Sequence, residues 1–135
     1  MKRGACAVLW QGGQILLGRR SPRRKFYPGV WDLIGGHCEG EETPQQTLVR
    51  ELGEELGVTP IQFRQVDILD EPNTAAHGAY QYYVYLVTQW RGEPCNRQPQ
   101  EHAEIKWFAV QDALALELAH PHYPVLFKEI IALGN

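Results

Sequence analysis

With 135 residues, 44% of them hydrophobic and 21% charged, the chain has the make-up of an ordinary globular protein and the length of one domain, taken as 1–135. Its net charge of −3, from 13 Lys and Arg against 16 Asp and Glu, argues against a module that grips duplex nucleic acid through phosphates and leaves small phosphorylated ligands open. Three widely spaced cysteines, Cys6, Cys38 and Cys95, form no CxxC pair, and no apolar run has signal-peptide or membrane-spanning form. A cytoplasmic protein without disulfides or thiolate zinc is expected, as a monomer or homodimer.

In chain order, Ala5 to Trp10 and Gln14 to Leu17 predict a hairpin turning at Gly12 and Gly13. A basic, turn-rich loop follows, Arg19-Arg20-Ser21-Pro22-Arg23-Arg24-Lys25, then Phe26-Tyr27-Pro28-Gly29 and a short strand at Trp31 to Ile34. Thr43 as N-cap, Pro44 in the first turn and Gly57 as stop predict a helix over 44–56, with Leu48, Val49, Leu52 and Leu56 on its apolar side. Ile61 to Leu69 and Tyr80 to Thr88 read as strands, the second apolar on both faces and so central. Ile105 to Val110 predicts a last strand, 112–118 a short helix and Val125 to Leu133 a final one. The order implies a mixed sheet between helices.

On the first predicted helix, Glu51, Glu54 and Glu55 fall within about a third of the circumference, beside the apolar face. Two unit charges about 6 Å apart repel by roughly 3 kcal/mol at an effective dielectric near 20, so such a cluster needs a counter-charge. Arg50 supplies one, while Glu39, Glu41 and Glu42 add further negative charge. Acids on a helix are most often a solvated face. A hard divalent cation, Mg²⁺ or Mn²⁺, is the other answer, since it prefers carboxylate oxygens and completes its shell with water and substrate phosphates.

The residues around the cluster narrow the choice. Gly36 to Val58 reads GHCEGEETPQQTLVRELGEELGV, with Gly36, Glu42, Arg50, Glu51, Glu54, Glu55 and Gly57 at the fixed positions of the Nudix box and Leu52 and Val58 at its aliphatic ones. At about 6% per residue type, seven such matches arise by chance about once in 10⁸ starting points. The chain therefore resembles the Nudix hydrolases, and Arg19-Arg20, Gly35-Gly36 and Trp107-Phe108 resemble the MutT-like branch.

That resemblance implies an α/β/α sandwich with a mixed sheet. It also implies hydrolysis, with a divalent metal, of a phosphoanhydride in a nucleoside diphosphate linked to X. Glu51, Glu54 and Glu55 with the carbonyl of Gly35 would hold the metal; Glu51, or a neighbouring acid such as Glu54, would activate water; Arg50 would orient the glutamates and Glu42 brace the loop before the helix. Glu101 is the later loop acid, with Glu104 as its alternative, and Arg20 the arginine that touches the nucleotide. A nucleoside triphosphate is the expected substrate; ADP-ribose, a nucleotide sugar, a dinucleoside polyphosphate, or sensing without cleavage are the alternatives. His122 stands where MutT carries a base-reading asparagine, and Ile34 where a proline commonly precedes the glycine pair.

Phe26, Tyr27, Tyr80 and Tyr82 could stack on a base or belong to the core, and the basic loop could contact phosphate or merely balance the acidic helix. The five histidines, His37, His102, His120 and His122 among them, make no metal-ligand pattern and read as surface or structural. Ser21, the sole serine, has no evident base partner, which argues against a serine hydrolase.

Overall fold

The computed structural model describes residues 1–134. Its strands are β1 (Lys2–Gln11), β2 (Gln14–Arg20), β3 (Trp31–Asp32), β4 (Ile34–His37), β5 (Thr59–Asp70), β6 (Tyr80–Arg91) and β7 (His102–Ala109); its helices are α1 (Pro44–Leu56), α2 (Thr74–His77), α3 (Val110–Ala113) and α4 (Tyr123–Gly134). Gly12 and Gly13 turn the β1–β2 hairpin with φ of 57° and 77°, the two left-handed positions that a two-residue turn of this hand requires.

β1 is the hub of the sheet. It runs parallel to β6 from Lys2↔Tyr80 to Leu9↔Val87 and antiparallel to β4 from Gly4↔His37 to Ala7↔Ile34. β5 flanks β6 antiparallel, while β2 carries β3 and β7 on the other side. The parallel pair makes the sheet mixed, as expected, and β6 lies between β1 and β5.

Because side chains alternate along a strand, β1 feeds two cores. Cys6 and Val8 join Val84, Leu86, Leu126, Phe127 and Ile130 under α4, whereas Ala5, Ala7 and Leu9 join Ile34, Leu48, Leu52, Leu56 and Val87 under α1. The result is the α/β/α sandwich. Ile34, fully buried in the second cluster, fills core volume where a proline was the alternative.

α1 has the predicted bounds. Its N-cap Thr43 accepts from Gln46 N while Gln46 Oε1 accepts from Thr43 N, a capping box, and Gly57 closes it at φ 72°. One position differs from expectation: Val49 is 41% exposed, because the buried stripe consists of Leu48, Leu52 and Leu56, with Thr47 and Glu55 beside them. The predicted strand 31–34 is interrupted at Leu33, α2 was not foreseen, and the short helix predicted over 112–118 lies at Val110–Ala113. Among the described residues, no helix is long and apolar enough to cross a membrane.

Candidate active site

α1 and β4 bring the acids and the glycine pair together. A Cβ on Gly35 would lie 2.1 Å from the Ala5 carbonyl oxygen, and one on Gly36 would lie 2.6 Å from the Glu51 carboxyl group. Gly35 thus lets β4 pass close to β1, and Gly36 makes room for the head of Glu51. The glycine pair, of which Gly36 opens the box, has a steric basis at both positions.

Arg50 organises the acids beside it. Its Nε donates to Glu42 Oε2 (2.8 Å), its Nη1 to Glu51 Oε1 (2.8 Å) and Glu54 Oε2 (3.2 Å), and its Nη2 to Glu42 Oε1 (3.0 Å) and the His37 carbonyl (2.9 Å). The planar fork suits this bidentate pairing. Hydrogen bonds from Arg50, with those from the Glu39 backbone and Thr47, hold the Glu42 carboxyl down to about 2. Glu42 in turn accepts from Glu39 N, which draws the loop before α1 into a turn.

Glu55 has no such guanidinium. It is 2% exposed, its Oε1 is hydrogen-bonded to His102 Nε2 (2.9 Å), and its Oε2 is buried without a hydrogen-bond partner. Burial first, then the charges of Glu51 and Glu101, push its carboxyl up to about 10. Burial also raises Glu51, against the pull of Arg50. His102 is held below its ordinary value by burial, so its contact with Glu55 is a hydrogen bond to a neutral ring rather than an ion pair.

These features fit a hard cation. One ligand atom each from Glu55, Glu101 and His102 lies within 4.8 Å of the others, Glu51 and Glu54 adjoin Glu55 on α1, and Glu55 Oε2 is buried without a hydrogen-bond partner. Glu101 reaches this place because the 95–102 segment is moored to the end of α1: Cys95 N donates to the Leu56 carbonyl and Arg97 N to that of Glu55. The last carbonyls of the helix are satisfied by the loop that delivers Glu101. Glu104, its alternative, instead pairs with Arg19 at the surface (3.6 Å).

The acids line a cavity of about 950 Å³, together with Gly35, Gly36, Arg50 and Arg24. The rest of its wall includes Phe26, Tyr27, Asp32, Glu71, His77, Tyr80, Tyr82, His120 and Tyr123. All four aromatic candidates therefore face one space. Glu71, 4% exposed, accepts from Tyr27 Oη (2.7 Å), Tyr82 Oη (3.0 Å) and Asn73 N (2.9 Å). Burial alone would raise its carboxyl, but these three donors outweigh it and the value is lowered. Tyr27 has a left-handed φ of 52°, and Phe26 packs on His77 with ring centroids 4.2 Å apart, so the basic loop is folded against the segment around α2.

Arg20 lines the cavity, yet its donors are engaged within the fold: Nε and Nη2 reach the Phe26 and Tyr27 carbonyls, and Nη1 reaches Asp32 Oδ2 (3.0 Å). A direct nucleotide contact would have to share these. Arg24 is the half-buried arginine on the same wall for which no side-chain hydrogen bond is found among the described residues. His122 is outside the lining, with Nε2 3.4 Å from Asp67 Oδ2, while its neighbours His120 and Tyr123 are inside. Cys38 is half-buried, not core.

Two participants were not visible as such in the sequence. His102 had been read as surface or structural, and Glu71 drew no notice. Adjacency to Glu101 was the available signal for His102; for Glu71 there was none, since its partners lie 2, 11 and 44 residues away.

Comparison with known proteins agrees with this geometry. The NUDIX domain model matches residues 1–128. The chain is 30% identical over 120 residues to a CTP pyrophosphohydrolase of Escherichia coli K12, covering 89% of this chain and 84% of that one. It is 33% identical over 97 residues to the 8-oxo-dGTP diphosphatase of the same organism, covering 72% and 71%. The crystal structure of a MutT NUDIX hydrolase from Burkholderia pseudomallei superposes with a TM-score of 0.79 at 28% identity, covering 95% of each chain. A complete set of box acids on this sandwich, with a matching domain model over nearly the whole length, makes the chain a member of the NUDIX hydrolase family and a pyrophosphohydrolase.

Proposed function

We propose that the protein is a nucleoside triphosphate pyrophosphohydrolase of the MutT-like kind, working as a single domain on free nucleotides with Mg²⁺ or Mn²⁺. The observation that carries this reading is the shared cavity: Glu51, Glu54, Glu55 and Glu101 line the same space as the aromatic rings and hydrogen-bonding groups, within a volume suited to a nucleotide. The relatives named for CTP and for 8-oxo-dGTP support a triphosphate over a nucleotide sugar. Since all the box acids are retained, a sensor that binds without cutting is disfavoured. Three unpaired cysteines suit a reducing cytoplasm.

In this mechanism Glu51, Glu54, Glu55, Glu101 and the Gly35 carbonyl would hold the cation, which would supply Lewis acidity to the phosphate oxygens and lower the pKa of water. Glu51, with Glu54 beside it, takes a proton from the attacking water as the water oxygen bonds to an internal phosphorus and the bridging phosphoanhydride P–O bond breaks, its electron pair leaving with the departing phosphate group. Arg50 keeps both carboxylates aimed. Arg24, in the lining of the same cavity, meets the phosphates, and Arg20 shapes the loop that carries it. Tyr27, Tyr80 and Tyr82 present ring surface to the base. No covalent enzyme intermediate is required.

The test is phosphate release, after coupling to pyrophosphatase or phosphatase, across nucleoside triphosphates including oxidised and methylated ones, dinucleoside polyphosphates, ADP-ribose and nucleotide sugars, with and without Mg²⁺ or Mn²⁺. Metal-dependent cleavage confined to triphosphates is expected. Preferential cleavage of ADP-ribose, a dinucleotide or a nucleotide sugar would replace the substrate class. Binding of nucleotides without turnover would make the protein a sensor.

A further inference from the structure

We propose that His102 is a positioning residue for the cation site, holding Glu55 by one oxygen so that the other stays free to bind metal. This rests on the metal assignment made above. Glu55 and His102 have side chains only 2% and 4% exposed, on elements 47 residues apart, and their contact at 2.9 Å joins β7 to α1 in the interior. As a metal ligand Glu55 is ionised and can only accept, so in that state the imidazole donates through Nε2, and a neutral ring then has a bare acceptor at Nδ1.

The surroundings of Nδ1 agree with that tautomer. Nδ1 is buried without a hydrogen-bond partner, and the ring lies so near Gly18 that a Cβ there would come within 2.8 Å of Nδ1 and 3.2 Å of Ile34 Cδ1. A bare nitrogen against a glycine backbone leaves no donor stranded, whereas the opposite tautomer would bury an N–H with nothing to receive it. The backbone that carries the ring is tied as well: the His102 carbonyl accepts from Asn96 Nδ2 at 2.8 Å, and its amide donates to the Gln98 carbonyl.

With Nε2–H directed at Glu55 Oε1, the lone pair that would bind a metal is absent from that nitrogen, so His102 acts through Glu55 rather than as a ligand. Outer partners of this kind fix ligand orientation, and their loss typically weakens metal affinity by about 10- to 100-fold. Glutamine keeps an N–H donor at similar reach and alanine does not.

The experiment is Mn²⁺ binding to the full chain, followed by electron paramagnetic resonance, for the wild type, Glu55→Gln, His102→Ala and His102→Gln, with thermal melts to verify folding. Expected are a loss of affinity of about 10- to 100-fold in His102→Ala, recovery of most of it in His102→Gln, and no directly bonded ¹⁴N coupling in the wild type. Wild-type affinity in a folded His102→Ala protein would overturn the proposal, as would a strong ¹⁴N coupling abolished by that substitution, which would make His102 a ligand. Glu55→Gln serves a separate purpose: if it binds Mn²⁺ as the wild type does, the metal assignment itself fails. Should His102→Ala not fold, Gly18→Ala displaces the ring with its donor intact; weaker Mn²⁺ binding is expected, and unchanged binding counts against the inference.

Discussion

Glu54 and Glu55 sit side by side in sequence and in different physical worlds. The side chain of Glu54 is 52% exposed and shares Arg50, whereas that of Glu55 is 2% exposed and held by a neutral histidine. Both are nevertheless assigned to the cation, so Glu54→Gln and Glu55→Gln are each expected to lower turnover by at least about 100-fold. Their stabilities should part company. Glutamine at 54 leaves melting near the wild type, while at 55 it removes a buried acid that repels Glu51 and Glu101, and the metal-free protein should be no less stable. Steady-state rates and melts in the presence of a chelator check both, and near-normal turnover in both variants would refute the metal assignment. Arg20 shows the limit of residue-level reading: the correct residue type stands in the cavity wall, but tertiary contacts engage its donors.

At the scale of elements, α1 is the part that sequence reasoning recovered to the residue. Thr43, Pro44 and Gly57 are local devices whose effect does not depend on distant contacts. Thr43→Ala should therefore cost about 1 kcal/mol of stability with kcat changed less than about twofold, because the cap lies two turns from Glu51. Gly57→Ala places a Cβ at φ 72° and should cost about 1–2 kcal/mol. Urea denaturation measures both; a neutral Gly57→Ala would mean the helix end relaxes freely. The α2 segment escaped notice for the opposite reason. Four residues carry no periodicity, and its position is tied to the cavity by Glu71 and the Phe26–His77 packing, which are long-range contacts.

For the whole molecule, pH couples the site to folding. Glu42 is held at about 2 in the folded protein against 4.5 for a free carboxyl, so its contribution to stability is fully present above about 4.5 and is lost as pH falls through about 2. Glu71 is lowered too and acts in the same direction. The stability gap between the wild type and Glu42→Gln should consequently shrink on acidification from about pH 5 to pH 2, as read from urea melts across that range. A gap that stays constant would mean that Arg50 does not hold Glu42 in solution as it does here.

The sequence by itself determined the sandwich, the helix over 44–56 and the chemical class of the site, since periodicity, caps and the box spacing are local patterns that repeat the same physics wherever they occur. Only the tertiary structure decided which later acid joins the cluster, and why: Glu101 follows a segment moored to the carbonyls of Glu55 and Leu56, while Glu104 extends along β7 to the surface. It also decided which histidine matters. His102 stood beside Glu101 in sequence as His37 stood beside the box, and packing against Gly18 and Glu55 set His102 apart. Burial and partner geometry are sums over residues distant in the chain, so no window of sequence contains them.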